Sequence, residues 1–176
     1  MAHIADLSDI LSASLDEMVV DDVGRAYVGC QGSANGRIVR IDPDDSTTIV
    51  ADGLESPTGM AITPDALTLI VGESAGRRLT AFNIGSDGAL SDQTTFADGL
   101  DGPPDGITLD ADGGVWTATP SARQFQRIAA GGLVTDRIDM RDRTPVACTL
   151  GGPGRRILFL LSSTEAYPER LVGTKL

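Results

Sequence analysis

The stretch Ala51-Asp52-Gly53-Leu54-Glu55-Ser56-Pro57-Thr58-Gly59-Met60-Ala61-Ile62 is the most informative part of this sequence, because a second version follows it. The Ala-Asp-Gly-Leu motif recurs 46 residues later, and there it precedes Pro103-Pro104-Asp105-Gly106-Ile107-Thr108-Leu109. Both versions contain a turn sequence, a proline and then an apolar run. Self-similarity at a fixed spacing indicates a fold built from repeated structural units.

Two further segments fit the same frame and extend the repeat to most of the chain. They are Leu15-Asp16-Glu17-Met18-Val19-Val20 and, more weakly, Thr144-Pro145-Val146-Ala147-Cys148-Thr149-Leu150. If Val20, Ile62, Leu109 and Leu150 are equivalent, the repeats are 42, 47 and 41 residues apart. A period in the forties is typical of the four-stranded blade of a β-propeller.

The pattern inside each repeat also predicts strands. In the second repeat, the turn sequence Thr63–Leu67 precedes the continuous apolar run Leu69–Val71, and Arg78–Phe82 then alternates in polarity. A continuous run is typical of a strand buried on both faces, and alternation is typical of a half-buried one. Fourth strands are predicted to be short, such as Thr47–Val50 in the first repeat. The alternative interpretation is a β-sandwich with coincidental turn sequences.

We therefore predict an all-β chain with a single propeller domain of about four blade repeats. The predicted repeats span residues 15–54, 55–100, 101–140 and 141–176. Four blades could close into a ring by themselves or form part of a larger one.

Charge and composition exclude several classes of partner. The 14 lysines and arginines are outnumbered by 25 aspartates and glutamates, which gives a net charge of −11. Nucleic-acid binding and attachment to anionic membranes both require basic surfaces, so we expect neither partner. Apolar residues make up 41% of the chain, which is typical of a folded domain.

Several other functions lack their sequence signals. No apolar run approaches the ~18 residues of a membrane-spanning helix, and the first residues do not resemble a secretory leader; we therefore expect a cytoplasmic protein. His3 is the only histidine, and it lies near the start of the chain. This argues against a serine–histidine–aspartate triad.

Four motifs of the repeats resemble the family of gluconolactonases, senescence marker protein and luciferin-regenerating enzyme. They are Met18–Gly29, Gly59–Asp65, Pro104–Asp110 and Ala147–Pro153. The resemblance implies a six-bladed propeller with one divalent cation, which could be Ca²⁺, Zn²⁺, Mg²⁺ or Mn²⁺. It also implies hydrolysis of sugar lactones, in which a cation polarises the ester carbonyl and a carboxylate accepts a proton from water.

The resemblance also implies the site residues. Asp105 falls on the family's metal-binding aspartate, which is thought to act as the base. Thr58 falls on a metal-binding asparagine, so threonine replaces a ligand there. Asp16 and Glu17 fall on positions next to the substrate, and Glu73 falls where an acidic residue often lies near the channel mouth.

Nothing before Asp16 corresponds to the family's first blade or to the metal-binding glutamate that this blade carries. Six blades would require ~260 residues, so the chain is expected to be truncated relative to the family. Exposed blade faces could then produce a homo-oligomer. Two hypotheses remain: a metal-dependent lactone hydrolase, or a catalytically degenerate propeller fragment that binds a small ligand or a protein.

Overall fold

A computed structural model describes residues 5–7, 14–31 and 35–164 of the chain. This part contains β-strands and two short 3₁₀ turns, Pro120–Ala122 and Pro153–Arg155. The strands are β1 (Leu15–Val20), β2 (Ala26–Cys30), β3 (Gly36–Ile41), β4 (Thr47–Leu54), β5 (Pro57–Ile62), β6 (Thr68–Glu73), β7 (Arg78–Ile84), β8 (Leu90–Ala97), β9 (Ile107–Leu109), β10 (Val115–Thr119), β11 (Gln124–Ile128), β12 (Val134–Asp139), β13 (Thr144–Gly151) and β14 (Ile157–Ser163). The prediction of an all-β chain is confirmed. No helix in these residues is long and apolar enough to span a membrane.

The strands form four separate antiparallel sheets in which strand order follows the sequence. The first three sheets contain four strands each, β1–β4, β5–β8 and β9–β12. The fourth contains β13 and β14, and the rest of the fourth predicted repeat, residues 165–176, lies outside the described residues. The number of blades is therefore only approximate.

The apolar run of strand β6 shows why the sheets stack face to face. Leu69 and Val71 belong to a buried cluster that also contains Tyr27 of the first sheet. Ile70 points to the opposite face and belongs to a cluster with Ile107 of the third sheet. Since successive side chains of a strand face opposite sides, a strand between two neighbouring sheets must be apolar at every position.

Each pair of successive sheets is held together by a cluster of this kind. A third cluster joins Ala118 and Phe125 of the third sheet to Cys148 of the fourth. Neighbouring sheets also meet through their first strands, because β1 contacts β5, β5 contacts β9 and β9 contacts β13. The first strands therefore lie side by side and surround a common space.

Strand β4 is longer than the sequence predicted. It continues beyond Val50 to Leu54, where Leu54 pairs with Gly36. Irregularities in the β3–β4 pairing allow this extension, because a β-bulge absorbs an extra residue without ending the strand. The buried side chain of Leu54 stabilises the added part.

Two sheet faces expose large apolar side chains. Met18 of β1 is 63% exposed and Leu161 of β14 is 61% exposed. They are accompanied by Leu15, Val20, Ile157 and Phe159. These faces lie on the first and last sheets, where one neighbouring sheet is absent from the described residues. Association of copies through them stays a prediction.

Candidate functional site

The first strands and β14 surround an open cavity of about 610 Å³. Glu17 and Met18 of β1 lie on one side of it, and Phe159 and Leu161 of β14 also line it. Ile107, the first residue of β9, and Cys148 of β13 contribute further wall. Among the described residues of the lining, Glu17 is the acidic one, and the other walls are mostly apolar.

Asp105 lies two residues before the start of β9, in a segment held by backbone hydrogen bonds. Its N–H donates to the carbonyl of Ala118 at 2.9 Å, and the N–H of Gly106 donates to the carbonyl of Val146 at 3.2 Å. The carbonyl of Gly106 accepts from the N–H of Ala118 at 3.0 Å. The Asp105–Gly106 segment therefore bridges the third and fourth sheets and has little freedom to move.

Two glycines allow four sheets to converge around this segment. A methyl group on Gly59 would lie 2.5 Å from the nitrogen of Ile107 and 2.7 Å from the carbonyl oxygen of Asp105. One on Gly106 would lie 2.8 Å from Oε1 of Glu17 and 2.8 Å from Cα of Ala147. These distances are well below ordinary contact. The glycines therefore let strands β1, β5 and β13 approach Asp105.

The carboxyl groups of Asp105 and Glu17 are harder to ionise than usual. Burial raises the pKa of Asp105 to about 6, assisted by the negative charge of Asp16 and opposed by a hydrogen bond from the N–H of Gly106. Burial also raises the pKa of Glu17, and repulsion by Asp105 and Asp16 adds to it. A hydrogen bond from the backbone of Met60 partly offsets this increase. No described arginine forms an ion pair with either carboxylate.

Asp16 and Cys148 lie at the margin of this carboxyl pair. Asp16 accepts a hydrogen bond from the amide of Gln31 in an exposed position. The buried thiol of Cys148 lies 3.6 Å from the carbonyl oxygen of Gly106. Burial, followed by the negative charge of Glu17, raises the pKa of Cys148 to about 12. The thiol is therefore neutral and is not a nucleophile.

Thr58 is buried beside the Asp105 segment rather than open to the cavity. Thr58 is 5% exposed. The hydroxyl oxygen lies 3.1 Å from the carbonyl oxygen of Pro104 and 3.2 Å from that of Gly72. The hydroxyl thus connects the second sheet to the residue that precedes Asp105.

Glu73 has a different environment from the other predicted site residues. Its fully buried carboxylate accepts hydrogen bonds from Arg78 at 2.8 and 2.9 Å, from the N–H of Glu55 at 2.6 Å and from the hydroxyl of Thr80. Burial alone would raise the pKa of Glu73, but these hydrogen bonds lower it below its usual value. Its contacts favour a structural role, and its contact with substrate stays a prediction.

The described residues do not by themselves fit a divalent cation. Among residues 5–7, 14–31 and 35–164, no three His, Cys, Asp or Glu side chains lie close enough to hold a metal ion. Oxygen-ligated cations usually take six or more ligands, several of them carboxylates. The chemistry that these residues offer by themselves is that of a carboxyl pair, Asp105 and Glu17, with the charge of Asp16 acting on both.

Comparison with known proteins places this site in a family context. The SMP-30/gluconolactonase/LRE-like region matches residues 1–164. The chain belongs to this family. The resemblance drawn from the four sequence motifs is thereby confirmed.

Individual members of this family match the chain over part of their own length. A pentonolactonase from Haloferax volcanii is 28% identical over 153 residues, which make up 84% of this chain and 53% of that protein. A gluconolactonase structure from Xanthomonas campestris has a TM-score of 0.73 and 25% identity, covering 86% of this chain and 55% of that one. The chain thus spans about half the length of the relatives it matches.

A more distant structure supports the fold alone. A calcium-binding protein, regucalcin, from Agrobacterium tumefaciens has a TM-score of 0.79 at 20% identity, covering 96% of this chain and 60% of that one. The described sheets therefore have the arrangement of gluconolactonase-type propellers.

Sequence reasoning identified Asp105, Glu17, Asp16 and Thr58, and the structure brings them to neighbouring positions. Sequence reasoning missed Gly59 and Gly106, the two glycines that make this convergence possible. The signal was present, since a glycine follows Thr58 and Asp105 at equivalent positions of the two related segments. A glycine repeated beside a polar residue indicates close backbone approach.

Proposed function

We propose that this chain carries the acid–base site of a sugar lactone hydrolase, with Asp105 as the general base and Glu17 as its partner. The observation that carries the proposal is the partly buried Asp105 carboxyl group, with a pKa of about 6, close enough to act on the charge of Glu17, which itself lines the open cavity. A base whose pKa lies near the working pH is the most effective. Membership of the family and the lactonases among its relatives support this choice of reaction.

In the proposed reaction, the Asp105 carboxylate accepts a proton from a water molecule as the water oxygen attacks the lactone carbonyl. The ester bond to the ring oxygen then breaks, and the proton returns from Asp105 to that oxygen. The products are one carboxyl and one hydroxyl group on an open chain. Glu17, which lines the cavity, contacts a substrate oxygen during these steps.

The divalent cation implied by the resemblance has no step in this proposal. Asp105 and Glu17 would supply two carboxylate ligands, and no third His, Cys, Asp or Glu side chain of the described residues joins them. Ca²⁺, Zn²⁺, Mg²⁺ and Mn²⁺ therefore belong in the test as separate conditions.

The test measures hydrolysis of a sugar δ-lactone by the purified chain, with each cation and with EDTA. Asp105→Asn should reduce kcat at least ~100-fold, the lower range for general-base catalysis. The matched control is Asp112→Asn, because Asp112 is exposed in a turn of the same sheet. Equal loss in both variants, or full activity in Asp105→Asn, would refute the assignment of the base.

A second candidate function is a ligand-binding propeller without catalysis. The observation that favours it is the lack of three metal-ligating side chains in the described part of the chain. In that case the folded chain would bind a lactone measurably but hydrolyse it no faster than water does, in all the conditions above.

A further inference from the structure

The hydroxyl group of Thr58 lies between two backbone carbonyls, one in the second sheet and one in the segment that leads into the third. The carbonyl of Gly72 belongs to β6 of the second sheet, and the carbonyl of Pro104 precedes Asp105 on the way into the third. A threonine hydroxyl has a single proton to donate. This proton is therefore shared between the two carbonyls, and the side chain connects the second sheet directly to the residue before Asp105.

The hydrogen bonds of residues 104–106 show which contact Thr58 provides. The N–H of Asp105 and both backbone groups of Gly106 bond to the third and fourth sheets, at Ala118 and Val146. Pro104 has no N–H, so its carbonyl is the backbone hydrogen-bonding group of that residue. Among the described hydrogen bonds to residues 104–106, the bond from Thr58 links them to the second sheet, whereas the backbone bonds link them to the third and fourth sheets.

We propose that Thr58 is a positioning residue for Asp105 and not a ligand of a cation. Its hydroxyl fixes the Pro104 peptide, and the adjoining Gly59 packs against the carbonyl of Asp105, so that the backbone that carries the Asp105 carboxyl is held in place. This inference rests on the proposed function for its effect on catalysis. The restraint on the backbone is independent of any reaction.

Three substitutions at this position separate the two roles. Thr58→Val keeps the shape and removes the hydroxyl, whereas Thr58→Ser keeps the hydroxyl. The matched control is Thr63→Val, because Thr63 lies just after the far end of the same strand and its hydroxyl bonds to Asp65 and Thr68 in a turn. The third substitution, Thr58→Asn, introduces the amide that the family uses as a ligand.

The measurements are kcat and KM for the sugar δ-lactone, amide hydrogen exchange by NMR, and Ca²⁺ and Zn²⁺ binding by calorimetry. Thr58→Val should accelerate exchange at the amides of Asp105 and Gly106 by about ten-fold or more. It should also lower kcat by at least about ten-fold while KM changes less than about two-fold, because misplacement of a base affects the reacting geometry. Thr58→Ser should restore both, and Thr63→Val should change neither.

The possible failures are distinguishable. If the wild-type chain does not hydrolyse the lactone, the proposed function is wrong, and the exchange rates alone decide the role of Thr58. Unchanged exchange at Asp105 and Gly106 in Thr58→Val would overturn the inference. So would loss of cation binding in Thr58→Val that is regained in Thr58→Asn, because it would show that the position is a ligand.

Discussion

Replacing Gly59 by alanine should damage both the packing and the site, because this glycine is where the second sheet touches the Asp105 segment. The added methyl carbon would lie 2.5 Å from the nitrogen of Ile107 and 2.7 Å from the carbonyl oxygen of Asp105. Ordinary contacts of this kind begin near ~3.5 Å, so the two segments would have to separate by roughly 0.8–1 Å. Both contacts are backbone atoms, and no side-chain rotation can relieve them.

The expected loss is about 1–3 kcal/mol of unfolding free energy, the usual cost of overpacking. Displacement of Asp105 by almost 1 Å should also reduce kcat by about 100-fold. Urea unfolding of the whole chain gives the first quantity, and lactone hydrolysis gives the second. Both are measured on the same preparations.

Gly29→Ala is the matched control for Gly59→Ala. Gly29 lies in β2, its φ is not positive, and an added methyl group would meet its nearest neighbours at 3.5–3.6 Å. This substitution should be neutral or slightly stabilising, because alanine restricts the unfolded chain. If Gly59→Ala is as stable and as active as Gly29→Ala, the close approach of the second sheet to Asp105 is wrong.

Three further predictions concern individual contacts of the site and its surroundings. Glu73→Gln should lose about 2–3 kcal/mol at pH 7 in urea unfolding, because hydrogen bonds to a buried charge are strong. Since folding lowers the pKa of Glu73, this difference in unfolding free energy should shrink as the pH falls below 4.5. A constant difference would show that the charge of Glu73 is not its cause. Gly106→Ala should lose about 1–3 kcal/mol of unfolding free energy, because the added methyl group would meet Glu17 and Ala147. A crystal structure of the variant in which Glu17 has not moved would refute the contact with Glu17. Asp105→Asn should raise the unfolding free energy by about 1–2 kcal/mol at pH 7 and should leave it unchanged at pH 3. The reason is that folding raises the pKa of Asp105, so the wild-type protein loses stability as the pH rises through about 6. Equal gains at both pH values would exclude this cause.

The positions of most strands could be predicted because their residue patterns are local. Polarity alone indicates which side chains are buried in the run Leu69–Val71 and in the segment that begins at Arg78. The length of β4 could not be predicted in this way. Its extension to Leu54 depends on pairing with Gly36, and that pairing involves an irregularity that leaves no clear signal in the sequence.

The candidate site residues could be proposed from the sequence, but their environments could not. Glu17 and Asp105 are far apart in the chain, and their proximity follows from the packing of first strands against one another. Glu73 shows the limit most clearly. An acidic residue at the end of a strand resembles a site residue. Glu73, however, lies directly opposite Arg78 in the β6–β7 hairpin and forms an ion pair with it. The four-residue loop between them could have predicted this pair.

The folded sheets place the Asp105 carboxyl in a partly buried, negatively charged environment near Glu17. The most direct test is an NMR titration of aspartate carboxyl carbons in the EDTA-treated chain, with Asp105→Asn used to assign the signal. Asp105 is expected to titrate near pH 6, and Asp16→Asn is expected to move its midpoint to lower pH. A midpoint for Asp105 close to the ordinary aspartate value of about 3.9 would show that the folded sheets do not bury and charge this carboxyl as described.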